Sequence, residues 1–207
     1  PERVRVRGTR ATMRACRIYG TRDLRFETAL RPEPESGAVL LQVASVGVCG
    51  SDVHYYLEGR IGSQVIDSPL IMGHEFSARV IELGAGVTGL TPGQLVAVEP
   101  GVSCGHCEMC QQGHPNLCCN ILFCGCPSPP FQGALADYVV MPAHNCLPLP
   151  DSMNSTVGAL LEPLGIAIHA VDLAHLRPGS TVAVLGAVPI GLLTVSVARV
   201  AGATEVY

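Results

Sequence analysis

The chain has 207 residues, of which 48% are hydrophobic and 14% charged, and its formal net charge is −4. Against about 25% charged residues in an average soluble domain, this is enough apolar material for a core and too little charge for a disordered tail. The acidic balance, with no basic stripe after the first ten residues, argues against a nucleic-acid partner.

Residues 1–12 carry Arg3, Arg5, Arg7 and Arg10 and read as an extension ahead of Met13. They lack the Ser-rich amphipathic pattern of an import peptide. The 23 glycines and 16 prolines follow no repeat, which predicts many short strands and turns. Segments 13–19 and 38–46 read as strands from their branched and apolar content, with Pro32, Pro34 and Gly37 between them. Segments 76–83 and 95–98 are two more, the second introduced by the turn Thr91-Pro92-Gly93. From 100 to 132 Cys, Gly and Pro crowd together without periodicity, forming a loop or lobe whose length needs a reason. Strand character returns at 134–142, and 157–173 reads as a helix bent or broken near Pro163.

Residues 180–198 contain no charged side chain and so meet the length rule for a membrane helix. A better reading divides them. Residues 181–185 are β-branched and strand-like, 186–189 are a Gly/Pro turn, 190–201 suit a helix, and 203–207 begin another strand. Strand, glycine turn and helix in that order open a nucleotide-binding βαβ unit, and no membrane partner is expected.

Ten cysteines suit either a disulfide scaffold or a metal protein. No apolar signal core opens the chain, and four cysteines have metal-type spacing, so a reducing, cytoplasmic setting with bound zinc is expected. Cys104-x2-Cys107-x2-Cys110-x7-Cys118 matches a closed, tetrahedral structural zinc site better than an iron–sulfur site or two disulfides. His106 and His114 read as bystanders, and Cys119 competes with Cys118 for the fourth place. Cys124, Cys126 and Cys146 read as ordinary buried thiols. A second constellation joins Cys49-Gly50-Ser51-Asp52 to Gly73-His74-Glu75. Thiolate, imidazole and carboxylate together suit a catalytic zinc with one open position.

In their order these motifs resemble the zinc-dependent medium-chain dehydrogenase/reductase family, from Met13 to Tyr207. Residues 48–62, VCGSDVHYYLEGRIG, and 158–164, GALLEPL, resemble its polyol branch, the sorbitol/xylitol (L-iditol 2-dehydrogenase-like) enzymes. Glu162 stands about where alcohol dehydrogenases of the simple type carry a cysteine. The resemblance implies a mixed β and α/β fold: a GroES-like, β-rich catalytic domain over 13–160 containing the zinc lobe 100–132, then the incomplete start of a Rossmann domain over 161–207. It implies Cys49, His74, Glu75 and Glu162 around a catalytic zinc, Ser51 and His54 as the proton relay, and Tyr55 with Glu162 at the substrate. Hydride would pass from a zinc-bound secondary alcohol, a polyol such as sorbitol or xylitol, to NAD. The full-length protein is expected to be a homo-oligomer, a tetramer or dimer. Threonine- or simple-alcohol-type zinc dehydrogenases are the alternatives, as is a non-catalytic zinc-binding fragment of the same fold.

The expected cofactor turn is Gly186, Ala187, Val188, Pro189, Ile190, Gly191. Val188 replaces the family's second glycine, where bare backbone lets the pyrophosphate approach the helix N-terminus. A β-branched residue there is expected to crowd the phosphates and to resist any positive φ. The acidic residue that would grip the ribose, about 20 residues beyond the glycines, falls past Tyr207. The chain as it stands is therefore expected not to turn over.

Overall fold

The computed structural model describes residues 11–207; the first ten residues of the expected extension lie outside the described residues. Strand β1 (Thr12–Gly20) and strand β2 (Asp23–Leu30) form an antiparallel hairpin turning at Thr21 and Arg22. β2 was not expected from the sequence. Of its residues only Ala29 is buried, so it lacks the alternation that would announce a strand. Cross-strand contacts hold it instead: Tyr19 Oη donates to Glu27 at 2.8 Å, and the Arg25 guanidinium lies 4.3 Å from the Tyr19 ring centroid.

β3 (Ala38–Val46) is the second strand of a five-stranded antiparallel sheet. The order is Tyr138–Pro142, β3, Phe76–Leu83, Leu95–Val98 and Cys146–Pro148. Val39, Leu41, Phe76, Val80, Val96 and Met141 fill its core. Strand character was expected from 134, but the ladder to β3 begins only at Tyr138. The four residues before it turn toward β1: Cys16 N–H donates to Leu135 O, Ala136 bridges Ala15, and Asp137 accepts from the Arg14 backbone and guanidinium.

Helix α1 (Gly50–Glu58) follows β3 directly and ends at Gly59, whose left-handed φ of 72° lets its N–H donate to Tyr55 O. Lobe 100–132 is irregular apart from two-residue strand pairs, a short 3₁₀ turn and the one-turn helix α2 (Glu108–Gln111). Buried Asn145 holds its base by donating from Nδ2 to the carbonyls of Glu99 and Gly101, both at 2.9 Å.

The helix over 157–173, expected to be bent or broken near Pro163, is two helices, α3 (Ser155–Ala159) and α4 (Leu161–Leu173), with the break at Leu160, three residues before the proline. Pro163 has no N–H to give to the Ala159 carbonyl, so α3 stops. The proline sits instead in the first turn of α4, where a backbone donor is not needed. The Asn154 side chain caps α3 by accepting from Val157 N–H at 2.9 Å.

Thr181–Val182 pairs in parallel with Glu205–Val206, and helix α5 (Pro189–Val200) connects them. The strand is shorter than the 181–185 expected, although Val184 N–H still donates to Tyr207 O at 2.7 Å. Val171 of α4 packs with Ala198 and Ala203. The uncharged stretch is thus divided between a strand, a turn and a helix. Among the described residues no helix is long and apolar enough to cross a membrane.

Candidate metal centres and the cleft between them and the glycine turn

The first motif lies where β3 gives way to α1. Cys49 is the N-cap of α1, and Asp52 at its third position reaches back to accept from Cys49 N–H at 2.9 Å. The other oxygen of Asp52 accepts from Gly73 N–H at 3.3 Å. One buried carboxylate therefore ties the two motifs together. Asp52 was quoted in the sequence motif without a role. Its position three residues after the cap, as in a capping box, was the available signal. Gly73 has a φ of +91°, a region that favours glycine, and turns the chain immediately before His74.

One donor atom each from Cys49, His74 and Glu75 lies within 4.8 Å of the others, close to what metal–ligand bonds of about 2.0–2.3 Å span. These side chains open onto a cleft of about 350 Å³ also lined by Ser51, Tyr55, Phe123, Cys126, Glu162 and Ile190. Glu162, in the first turn of α4, lines the cleft without joining the three-residue cluster. Burial pushes its carboxyl up to about 6; nearby His74 opposes this, while Glu75 and Glu99 add to it. Burial also raises the Cys49 thiol, which Ser51 draws down and Glu75 pushes up. Carboxyls and a thiol gathered in a half-buried pocket repel one another when ionised, and a dication would relieve that repulsion. The donor set fits zinc.

Ser51 and Tyr55, four residues apart on one side of α1, both face the cleft. Burial, then the neighbouring Cys126 and Asp52, raise the Tyr55 hydroxyl to about 12. His54 does not line the cleft. It is exposed, with Nδ1 3.3 Å from Glu58 of the same helix. Cys124 and Cys146 are buried as expected, but Cys126 is only half-buried and lines the cleft, with Sγ 3.4 Å from Gln64 Oε1. Phe123, whose ring centroid lies 5.3 Å from that of His74, was not among the residues expected at the site. Both residues sit in the aperiodic lobe, where sequence pattern carries no facing information. A larger apolar groove of about 570 Å³ runs beside β1, past Leu24, Phe26, Val48 and Val53, and holds neither donor cluster.

In the lobe, Sγ atoms of Cys104, Cys107, Cys110 and Cys118 lie within 4.8 Å of one another. Cys118 accepts from the backbone N–H of Cys104 at 3.3 Å and of Asn120 at 3.4 Å. The His106 backbone pulls the Cys104 thiol down to about 6, and burial pushes Cys110 up to about 11. Four converging thiols, two of them drawn toward thiolate by backbone donors, fit a closed zinc site. His106, His114 and Cys119 are exposed and outside the cluster.

At the glycine turn Gly186 takes a φ of +109°. A Cβ on Gly191 would fall inside the Gly186 carbonyl oxygen, so this turn requires glycine at 191. Val188 is the N-cap of α5 with φ −81° and ψ 174°. The expected resistance to a positive φ is therefore not met, because none is needed. What remains is its side chain, 66% exposed over the helix N-terminus. The turn fits a dinucleotide phosphate except for that side chain. Pro189 follows at the first helical position, and Ile190 reaches the cleft that holds Cys49, His74 and Glu75.

A β-rich fold with a thiolate–imidazole–carboxylate cleft and a separate four-cysteine lobe defines a class. The chain belongs to the family described as "Alcohol dehydrogenase GroES-like domain", whose model matches residues 35–151. Its fold is GroES-like, followed by an α/β segment. Among curated relatives it is 41% identical over 191 residues to the sorbitol dehydrogenase of Bacillus subtilis (strain 168), covering 92% of this chain and 54% of that protein. It is 47% identical over 189 residues to the sorbitol dehydrogenase of Gallus gallus, covering 91% and 53%. Among solved structures, L-idonate 5-dehydrogenase from Escherichia coli K-12 superimposes with a TM-score of 0.89 at 33% identity, covering 96% of this chain and 57% of that one. The chain spans about half the length of the curated relatives it matches.

Proposed function

We propose that this chain is the zinc-binding part of an NAD-linked dehydrogenase acting on polyols such as sorbitol or xylitol. The observation that carries the reading is one cleft shared by Cys49, His74, Glu75 and Glu162 on one side and by Ile190, at the head of α5, on the other. A metal site that opens onto a glycine turn suits transfer between a substrate and a dinucleotide. When bound, zinc supplies Lewis-acid polarisation of the substrate oxygen, and the nicotinamide supplies the hydride acceptor.

The chain's own residues do the rest. Cys49, His74 and Glu75 hold the zinc, and Glu162, with its raised carboxyl, holds water or completes the ligand set. Ser51 in the cleft wall takes the proton of the substrate hydroxyl, and His54, exposed beside Glu58, is the outer member of a relay to solvent. Buried Tyr55 presents its hydroxyl to a polyhydroxylated substrate, while Phe123 and Ile166 exclude water. Cys104, Cys107, Cys110 and Cys118 hold a second, structural zinc. Gly186, Val188, Pro189, Ile190 and Gly191 cradle the NAD phosphates. The catalytic domain spans 13–160 and the cofactor domain starts at 161; the whole protein works as a homo-oligomer.

The test is a kinetic comparison on the protein carrying its complete cofactor domain. Sorbitol or xylitol should be oxidised at far higher kcat/KM than ethanol or threonine. A preference for ethanol or threonine would move the protein to another branch of the family, and failure to bind NAD would leave only a zinc-binding role.

A further inference from the structure

A glycine stands just ahead of the Cys49 motif for a reason its own backbone does not supply. Gly47 lies between the end of β3 and Cys49, and its N–H donates to Glu75 O at 2.7 Å, one step past the last ladder pair, Val46 with Phe76. Unlike Gly73, it does not take a positive φ, so the backbone conformation does not call for glycine. What forbids a side chain there is Glu75. A Cβ on Gly47 would fall inside Glu75 Oε2 and would lie only 3.1 Å from Glu75 Cβ. The three atoms such a Cβ would meet first, Oε2, Cβ and Cδ, all belong to that one side chain. The Glu75 carboxylate therefore rests against a bare Cα.

We propose that Gly47 is a positioning residue for the cleft metal: its missing side chain is the seat that keeps the Glu75 carboxylate within reach of Cys49 and His74. This rests on the reading of Cys49, His74 and Glu75 as metal ligands. A methyl group at position 47 would displace the carboxylate by roughly 1 Å, the difference between overlap and ordinary van der Waals contact. Metal–ligand distances hold to within about 0.2 Å, so a carboxylate displaced that far no longer closes the three-donor cluster. The adjustment falls on Glu75 because Oε2 ends a flexible side chain, whereas the Gly47 backbone is tied down by its bond to Glu75 O. Gly47 and Asp52 thus act on different links. Asp52 joins the backbones of the two motifs, and Gly47 fixes where one side chain between them lies.

The experiment uses the protein carrying its complete cofactor domain, as the parent, Gly47→Ala, Glu75→Ala, the Gly47→Ala/Glu75→Ala double variant and Cys49→Ser. The probe is zinc alone, its affinity for cleft and lobe measured by competition with a chelator. Cobalt(II) loaded in its place reports ligand geometry through its visible absorption. Gly47→Ala should weaken zinc in the cleft about ten- to a hundred-fold, as losing a group that orients a ligand does, and should shift the cobalt spectrum while the lobe keeps its zinc. Added to Glu75→Ala, the same substitution should change cleft affinity by less than about two-fold, because Gly47 acts only through Glu75. Cleft affinity unchanged or tighter in Gly47→Ala, an equal loss in both backgrounds, or loss of the lobe zinc as well would overturn the proposal alone. If Cys49→Ser and Glu75→Ala each hold as much zinc as the parent, the metal reading of the cleft fails and takes this proposal with it.

Discussion

Val188 and Asp52 show opposite relations between residue type and position. At Val188 the backbone is relaxed, and on the proposed reading of this turn as a phosphate site the cost would lie in its exposed methyl groups. Losing one charge-assisted hydrogen bond is worth roughly 1.5–3 kcal/mol, so Val188→Gly, in the protein with a complete cofactor domain, should tighten NAD binding about ten-fold or more. Titration calorimetry would show it, with zinc content unchanged; equal affinities would mean that the pyrophosphate lies elsewhere. Asp52 is the reverse, a charged group that the fold needs buried. Asp52→Ala leaves the N–H groups of Cys49 and Gly73 without their acceptor. That should cost about 1–3 kcal/mol for each N–H left unpaired. Thermal denaturation should register the loss, and metal analysis should register weaker zinc retention in the cleft but not in the lobe. A variant as stable as the parent would show that water replaces the carboxylate.

The lobe is the element most dependent on its ligands. Residues 100–132 contain one turn of α-helix, a 3₁₀ turn and two-residue strand pairs, and little apolar burial beyond Cys118, Cys124 and the lobe's root. On the proposed reading of the lobe, four metal–sulfur bonds would supply the order that packing does not. Cys104→Ser or Cys118→Ser should each lose one zinc per chain, and limited proteolysis should then cut within 100–132. Unchanged metal content in both variants would exclude the four-thiolate site; an unchanged result for Cys118→Ser alone would assign the fourth place to Cys119. The four cysteines were legible because ligand spacing is local. The bounds of β3 and of the strands Phe76–Leu83 and Leu95–Val98 were legible for the same reason, since branched apolar residues mark a strand wherever it pairs. β2 was not, because pairing with β1 makes it a strand while its own residues stay mostly exposed. The helix break expected near Pro163 was legible, and it falls at Leu160 because a proline cannot donate to the carbonyl four positions before it.

Across the whole molecule, the cleft depends on a core that contributes none of its chemistry. Phe76, next to Glu75 in sequence, is 1% exposed within the five-stranded sheet. Phe76→Ala should destabilise the chain by about 3–5 kcal/mol. In chemical denaturation the midpoint should fall with the m-value unchanged. A loss well under 1 kcal/mol would show that the core collapses around the cavity. The cleft gathers chemical groups far apart in sequence, Cys49, His74, Glu162 and Ile190.

The sequence by itself determined the ligand types, their spacing, the strand–turn–helix order after Ser180 and the family resemblance. Each is a property of neighbouring residues or of short motifs in a set order. Only the tertiary structure decided that Asp52 ties the Cys49 and His74 motifs together and that Phe123 and Cys126 face the cleft while His54 does not. It also decided that Val188 needs no positive φ. These depend on where separate segments meet and which way a side chain points when they do. Local pattern encodes neither in an aperiodic lobe or a turn, and both are settled when burial of the shared core brings the segments into contact.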